Sequence, residues 1–339
     1  PERRILASGK PESAVIKVSL AGERLRASDR PAVNLALVID RSGSMGGEKI
    51  VRAREAAIAA VERLDSRDIV SVIAFDDRID TVVPAQSAAE KRAIVEKIDG
   101  IEARGSTAIF GGVSQAASEI RKNLRQKMVN RIVLLSDGMA NVGPSTPEEL
   151  GRLGAALVKE SVSVSTIGVG LGFNEDLMTR LAGNSDGNSY FVENSDDLPR
   201  IFNAELGDVL SVAARKVKLT VRFMNGATPV ELIGRDGRIV DGTVTIDFNQ
   251  IYASQEKYVL IRTEFTPGKV DETRTFATAT VSYEPPDSDR ALAATATGTV
   301  GFSPDAALVK RSVDKDIMID TIKNINATDA AKAIQLNDA

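Results

Sequence analysis

A carboxylate and two hydroxyls follow a strongly apolar run near the start of the chain. The run is Ala36-Leu37-Val38-Ile39, and it leads directly into Asp40-Arg41-Ser42-Gly43-Ser44. Because alternate residues of an extended segment share a side, Asp40, Ser42 and Ser44 can converge on one point, helped by the glycine between the serines. Oxygen ligands of this kind suit a hard divalent cation such as Mg²⁺ or Mn²⁺. The pattern predicts a metal site at the carboxyl end of a buried strand, where open α/β sheets bind their ligands.

Two later segments supply further oxygen atoms in a compatible order. Gly105-Ser106-Thr107 precedes a predicted helix from Ala108 to Asn123, which places a hydroxyl at a helix start. A second apolar run, Ile132 to Leu135, is followed by Ser136, Asp137 and a turn glycine. Each segment alone is also typical of a helix cap or a turn. Their occurrence together, in this order, indicates that Thr107 and Asp137 belong to the same site.

The order Asp-x-Ser-Gly-Ser, Gly-x-Thr and strand-Asp-Gly resembles the metal-ion-dependent adhesion site of von Willebrand factor type A domains. The similarity covers about Pro31 to Val212. It implies that a divalent ion, Mg²⁺ or alternatively Mn²⁺ or Ca²⁺, is ligated by a set of hydroxyls and carboxylates. Asp40, Ser42, Ser44 and Thr107 would be the ligands, and Asp137 would reach the ion directly or through water.

The flanks of these motifs are most similar to bacterial members of the family. These members are related to inter-alpha-trypsin inhibitor heavy chains and to calcium-activated chloride channel accessory proteins. The resemblance implies an extracytoplasmic location, either periplasmic or at the cell surface. It also implies a protein partner that supplies an acidic side chain to the ion.

The middle of the chain alternates strand and helix patterns, as in a doubly wound, mostly parallel α/β sheet with helices on both faces. Asn34 to Ile39 is the first predicted strand, and Glu48 to Leu64 the first helix. We predict an edge strand from Ile79 to Val83, closed by Pro84, and a closing helix from Ser195 to Val212. Because Asn34 to Ile39 is almost continuously apolar, we expect it at the centre of the sheet.

After Lys216 the pattern changes to strands with alternating apolar and polar residues, which is typical of an antiparallel β-sandwich. Ala14 to Leu20 has the same alternation, so we expect it to pair with those later strands. This predicts an α/β domain at residues 31–213, inserted into a sandwich formed by residues 1–30 and 214–302. Residues 303–339 are predicted to be helical, with helices from Pro304 to Asn324 and from Thr328 to Asn337.

Composition narrows the functional classes. The chain of 339 residues has a net charge of −4, so its composition gives no strong electrostatic case for binding nucleic acid. It has no Cys and no His, so thiol chemistry is excluded and the commonest general base is missing. No apolar run approaches the ~20 residues that span a bilayer. Gly43 to Lys49 fails as a phosphate-binding loop, because Glu48-Lys49-Ile50 stands where Gly-Lys-Ser/Thr is required.

Three functions are compatible with these residues. The leading hypothesis is a binding or adhesion module in which the ion holds a carboxylate of a partner protein. The rival is a metal-dependent hydrolase or phosphotransferase that uses the ion as a Lewis acid, with Asp76 or Asp77 as base. The third is a scaffold protein whose site is covered by another domain. We interpret Asp76-Asp77 itself as a solvated turn beside the metal edge.

Overall fold

Strands and helices alternate between residues 32 and 209, and strands dominate from residue 212 onwards. The computed structural model describes residues 1–24, 30–124, 128–138, 140–170, 172–234, 237–286, 288 and 290–337, with side chains as far as residue 326. The described residues form two compact units. One consists of Glu23–Arg215 with Pro285–Asp289, and the other of Pro1–Gly22, Lys216–Glu284 and Arg290–Ala339. Residues 25–29, at the end of the predicted N-terminal segment, lie outside the described residues.

The elements are numbered in chain order. The first part of the chain contains β1 (Ile5–Ala7), β2 (Glu12–Ala21), β3 (Ala32–Asp40), α1 (Glu48–Arg63), β4 (Ile69–Phe75), β5 (Ile79–Ser87), α2 (Lys91–Asp99), α3 (Ile109–Arg121), β6 (Met128–Ser136), α4 (Pro147–Lys159), β7 (Val162–Val169), α5 (Glu175–Asn184), β8 (Ser189–Val192) and α6 (Leu198–Val209). The second part contains β9 (Val212–Phe223), β10 (Ala227–Ile233), β11 (Arg238–Val240), β12 (Thr243–Tyr252), β13 (Glu256–Phe265), β14 (Thr273–Glu284), β15 (Leu292–Ser303), α7 (Ala306–Arg311) and α8 (Lys315–Asn337).

Six strands of the α/β unit form one sheet in the order β5-β4-β3-β6-β7-β8. Neighbouring strands among β4, β3, β6, β7 and β8 pair in parallel, and β5 runs antiparallel to β4. Strand β3 lies between β4 and β6, which confirms the central position predicted from its apolar run. The predicted doubly wound, mostly parallel α/β fold is also confirmed.

Both faces of β3 are covered. Ala36 and Val38 belong to a core that also contains residues of α3, α4 and α5. Leu35, Leu37 and Ile39 alternate with them, so they point to the opposite face, and they are equally buried. The sequence shows no polar alternation in this strand because neither side of it meets water.

The borders of two predicted elements were wrong. Strand β5 does not stop before Pro84 but continues to Ser87. Proline is tolerated because β5 is an edge strand, and its pairing with β4 shifts register in this region. The predicted helix from Ser195 to Val212 is a 3-10 turn followed by α6, and Val212 already begins β9.

The second unit contains a six-stranded sheet, β1-β15-β14-β9-β12-β11, and a three-stranded sheet, β10-β13-β2. Phe265 on β13 contacts Phe276 on β14 edge to face, with ring centroids 5.4 Å apart. This contact joins the inner faces of the two sheets. The N-terminal strand β2 pairs antiparallel with β13 along its whole length, from Glu12 opposite Phe265 to Ala21 opposite Glu256.

The C-terminal helices divide at a different place from the one predicted. Instead of a break between Asn324 and Thr328, the interruption lies between α7 and α8, at residues 312–314. The side chain of Asp314 accepts hydrogen bonds from amides in the first turn of α8, and Ser312 is hydrogen-bonded to the backbone of Ile5. These side-chain contacts end one helix and begin the next, which hydrophobic periodicity does not reveal.

Helix α8 packs on the three-stranded sheet through a few apolar residues. Ile317 and Ile325 contact a small core that contains Val15 and Leu260. Ile319 and Ile322, which the sequence also indicated as packing residues, are exposed. Within the described part of the chain, every helix is too short or too polar to cross a bilayer.

Candidate metal centre

Asp40 ends the central strand and fixes the loop that follows it. Its side chain is buried; Oδ1 accepts a hydrogen bond from the amide of Ser42 at 2.8 Å, and Oδ2 accepts one from the Ser136 hydroxyl. Burial raises the pKa of Asp40 to about 6, although the hydrogen bonds from Ser136 and Ser42 oppose that shift. Met45, fully buried under the loop, anchors the turn after Ser44. The loop is therefore held at both ends.

Three side-chain oxygens converge beyond the ends of β3 and β6. The hydroxyls of Ser42 and Ser44 lie 3.0 Å apart, and the Ser44 hydroxyl donates to Oδ1 of Asp137 at 2.7 Å. Neighbouring oxygens around an octahedral Mg²⁺ are about 2.9 Å apart, since each lies about 2.0–2.1 Å from the ion. Both the type of these oxygens and their spacing fit a small divalent cation.

Thr107 comes to the same edge from the loop before α3. Its amide donates to the side chain of Asn141 at 2.9 Å, and its carbonyl accepts from the Asn141 amide at 3.1 Å. Its hydroxyl oxygen lies 3.0 Å from the position that a Cβ on Gly138 would occupy. Any side chain at position 138 would crowd this hydroxyl, so the glycine after Asp137 allows the two loops to meet. The structure thus brings all five predicted residues to one edge of the sheet.

Asp76 joins the loop that carries Ser42 to the loop that carries Thr107, although the sequence analysis assigned it to a solvated turn. Asp76 is not part of a solvated turn; it is buried, with 1% of its surface exposed. Its Oδ2 accepts hydrogen bonds from Arg41 Nε and Arg104 Nε, both at 2.9 Å. Arg41 belongs to the first loop and Arg104 to the second, so one carboxylate holds both.

Backbone hydrogen bonds strengthen this connection. The Gly43 amide donates to the Gly105 carbonyl at 3.0 Å, and the Arg104 amide donates to the Arg41 carbonyl at 2.6 Å. Gly105 has a φ of 71°, and a Cβ there would lie 2.2 Å from Oδ1 of Asp77. The positive φ therefore favours glycine at this position, and a larger residue would also displace the Asp77 side chain.

Asp76 is poorly suited to act as a base. Burial favours its neutral form, but the hydrogen bonds from Arg104 and from the Arg78 amide, together with the charge of Arg41, outweigh burial and lower the pKa of Asp76. A carboxylate with a lowered pKa and two guanidinium partners binds a proton weakly. The arrangement fits a positioning residue better than a catalytic one.

Lys49 is a second residue that sequence reasoning did not connect with the site. It lies in the first turn of α1, and its ammonium group forms an ion pair with Oδ2 of Asp137. A lysine at a helix N-terminus is unfavourable for the helix dipole. This unusual position is the one feature of the sequence that could have indicated an acidic partner for Lys49.

Comparison with known proteins agrees with the fold. The family model of the von Willebrand factor type A domain matches residues 34–204, just over half of the chain. The uncharacterised protein YfbK of Escherichia coli is 29% identical over 216 residues, which is 62% of this chain and 37% of that protein. An inter-alpha-trypsin inhibitor heavy chain of Homo sapiens is 30% identical over 207 residues, 58% of this chain and 22% of that protein. The chain thus spans less than half the length of these curated relatives.

A similar architecture is found among solved structures. The structure described as von Willebrand factor type A from Catenulispora acidiphila superposes with a TM-score of 0.72, covering 91% of this chain and 74% of that one at 18% identity. At this identity the likeness concerns the fold alone. The match to the family model over half of the sequence decides the membership. The chain belongs to the von Willebrand factor type A domain family.

Proposed function

We propose that this protein is a binding module that recognises an acidic side chain of a partner protein through a divalent cation. Von Willebrand factor type A domains are in general metal-dependent protein-interaction modules. The observation that carries the proposal is the position of the Ser44 hydroxyl, which lies 3.0 Å from the Ser42 hydroxyl and 2.7 Å from Oδ1 of Asp137. We assign Mg²⁺ to this site, with Mn²⁺ or Ca²⁺ as substitutes.

The proposed ligands are the residues already described at this edge. Ser42, Ser44 and Thr107 would contribute neutral hydroxyls, and Asp40 and Asp137 would contribute the two negative charges. When bound, the ion supplies an electrophilic centre to which a carboxylate from another protein can bond. The exposed Ser44 lies on the side of the site that a partner can approach.

The loops determine how firmly the hydroxyls are held. Arg41 and Arg104 bind the same carboxylate of Asp76, so Ser42 and Thr107 keep their separation without help from an ion. Preorganised ligand side chains lose less conformational entropy on binding an ion than mobile ones. We account in this way for the two arginines that pair with the buried carboxylate of Asp76 beside the polar loops.

A hydrolase or phosphotransferase is less well supported. It would need a base near the ion. Of the two acidic candidates, Asp76 and Asp77, the first is hydrogen-bonded to two arginines and its pKa is lowered. The chain also has no histidine and no cysteine. We therefore propose binding rather than turnover as the role of the site.

Metal-dependent capture tests the proposed function. The immobilised full chain would be exposed to an extract from its source in the presence of Mg²⁺ or EDTA. We expect a discrete partner that is retained with Mg²⁺, released by EDTA and absent with a Ser44→Ala variant. Ser118→Ala, which removes an exposed hydroxyl on α3, is the matched control and should retain the partner. Equal capture by Ser44→Ala in EDTA would contradict the proposal.

A further inference from the structure

The ion pair between Lys49 and Asp137 places a fixed positive charge beside the candidate metal centre. The Asp137 side chain is completely buried, and the Lys49 side chain is about one-third exposed. Lys49 follows the first residue of α1, where the helix dipole disfavours a cation. The helix therefore gives no reason for a lysine at this position, whereas the buried carboxylate does.

The two oxygens of Asp137 have different partners. Oδ1 accepts the hydrogen bond from the Ser44 hydroxyl, on the side where the serine oxygens converge. Oδ2 receives the ammonium group of Lys49. A cation held by the hydroxyls would consequently share its carboxylate with a second positive charge.

We propose that Lys49 sets the affinity of the site by weakening the binding of divalent cations. This inference rests on the proposed function of the five ligating residues. Lys49 neutralises one of the two carboxylates there, so the ion gains attraction mainly from Asp40. It also repels the ion directly across Asp137.

Two consequences follow for the protein. Without an ion, Lys49 compensates the buried charge of Asp137, so the loops stay folded in metal-free protein. With an ion, the incomplete neutralisation by the protein leaves more positive charge to attract the carboxylate of a partner. Lys49 thus lowers the affinity of the site for the ion and raises the affinity of the bound ion for the acidic ligand.

Calorimetric titration of the full chain with MgCl₂ tests this proposal. The variants are Lys49→Met, which removes the charge but keeps an unbranched side chain of nearly the same length, and Lys49→Arg, which keeps the charge. Lys97→Met, an exposed position on α2, is the matched control for the loss of one positive charge. We expect Lys49→Met to bind Mg²⁺ roughly tenfold more tightly than the wild type, because a unit charge acts on a divalent ion at short range. The other two variants should stay near the wild-type value.

Thermal melting provides a second measurement. Metal-free Lys49→Met should melt at a lower temperature than the wild type, because Asp137 loses its partner, and should gain more from a given Mg²⁺ concentration. Unchanged or weaker Mg²⁺ binding by Lys49→Met, in a wild type that binds the ion, would overturn the role of Lys49 alone. No Mg²⁺ binding by any of the proteins would overturn the proposed function, and this inference with it.

Discussion

Asp76 connects the two loops that carry the hydroxyls of the candidate site, although it is not among the predicted ligands. Its partners Arg41 and Arg104 are remote from it in sequence, and nothing in their local patterns indicates an interaction. The pairing depends on two loops meeting at one end of the sheet, which only the folded chain reveals. By contrast, the convergence of Asp40, Ser42 and Ser44 follows from spacing within one loop. Their role as metal ligands stays a prediction.

We expect Asp76→Asn to destabilise the protein and to weaken the binding of Mg²⁺. The change removes one of the two carboxylates, Asp76 and Asp80, with which the arginines pair, and the loss of one partner from the buried Asp76–Arg41 pair costs on the order of 3 kcal/mol. Chemical denaturation measures the first effect and calorimetry the second. Asp77→Asn, at the exposed neighbouring position, is the control. A variant at Asp76 with wild-type Mg²⁺ affinity would exclude a positioning role.

At the scale of the elements, the central strand was predictable and the borders were not. The apolar run of β3 required burial on both faces, and this fixed its place between β4 and β6. The extension of β5 through Pro84 depends on its position at the sheet edge, which local sequence does not give. The break between α7 and α8 similarly depends on contacts of Ser312 and Asp314 with distant or capping groups.

Glu119 joins α3 to the edge strand β5 and should make stability depend on pH. Its carboxylate accepts hydrogen bonds from the Ala85 amide at 2.9 Å and from Lys122 at 2.6 Å. Burial opposes ionisation, but these hydrogen bonds outweigh it and lower the pKa of Glu119. Because the folded-state pKa is below the unfolded value, the stabilisation is complete above pH 4.5 and is lost as the pH falls through the folded-state pKa.

We therefore expect Glu119→Gln to lower the free energy of unfolding at pH 7 by about 1–3 kcal/mol. The difference from the wild type should narrow below pH 4.5, where the wild type loses the contribution of the carboxylate. Urea denaturation at a series of pH values measures this. Glu96→Gln, on the exposed face of α2, should show neither effect. A constant difference at all pH values would contradict the assignment.

At the scale of the whole molecule, the unit that contains the β-sandwich strands is formed by segments from both ends of the sequence, and the α/β unit lies between them in the sequence. The unit containing Pro1–Gly22 resumes at Lys216. We propose that this reflects an inserted domain: residues 31–213 as the von Willebrand factor type A domain, and residues 1–30 and 214–302 as the β-sandwich into which it is inserted. Residues 303–339 would form a helical appendage. Sequence alternation pointed to this arrangement because β2 has the same period as the later strands.

Removal of the first 22 residues, which all belong to the second unit, should damage only that unit. A chain that begins at Glu23 loses β1 and β2 and exposes the edge of β13, so we expect a less cooperative, lower-temperature transition for that unit and reduced solubility. Ile16→Ala, which creates a cavity at a buried position of β2, should destabilise it by about 2–4 kcal/mol. Differential scanning calorimetry resolves the transitions. Unchanged melting of the shortened chain would refute the inserted arrangement.

The central claim is that the hydroxyls and carboxylates at the end of β3 and β6 hold one divalent cation. Calorimetric titration of the folded chain with Mg²⁺ or Mn²⁺ tests it most directly, with Ser42→Ala, Thr107→Ala and Asp40→Ala beside the wild type. We predict one ion per chain for the wild type and at least about tenfold weaker binding for each variant. No binding to the folded wild type, or wild-type binding by Asp40→Ala, would contradict the account.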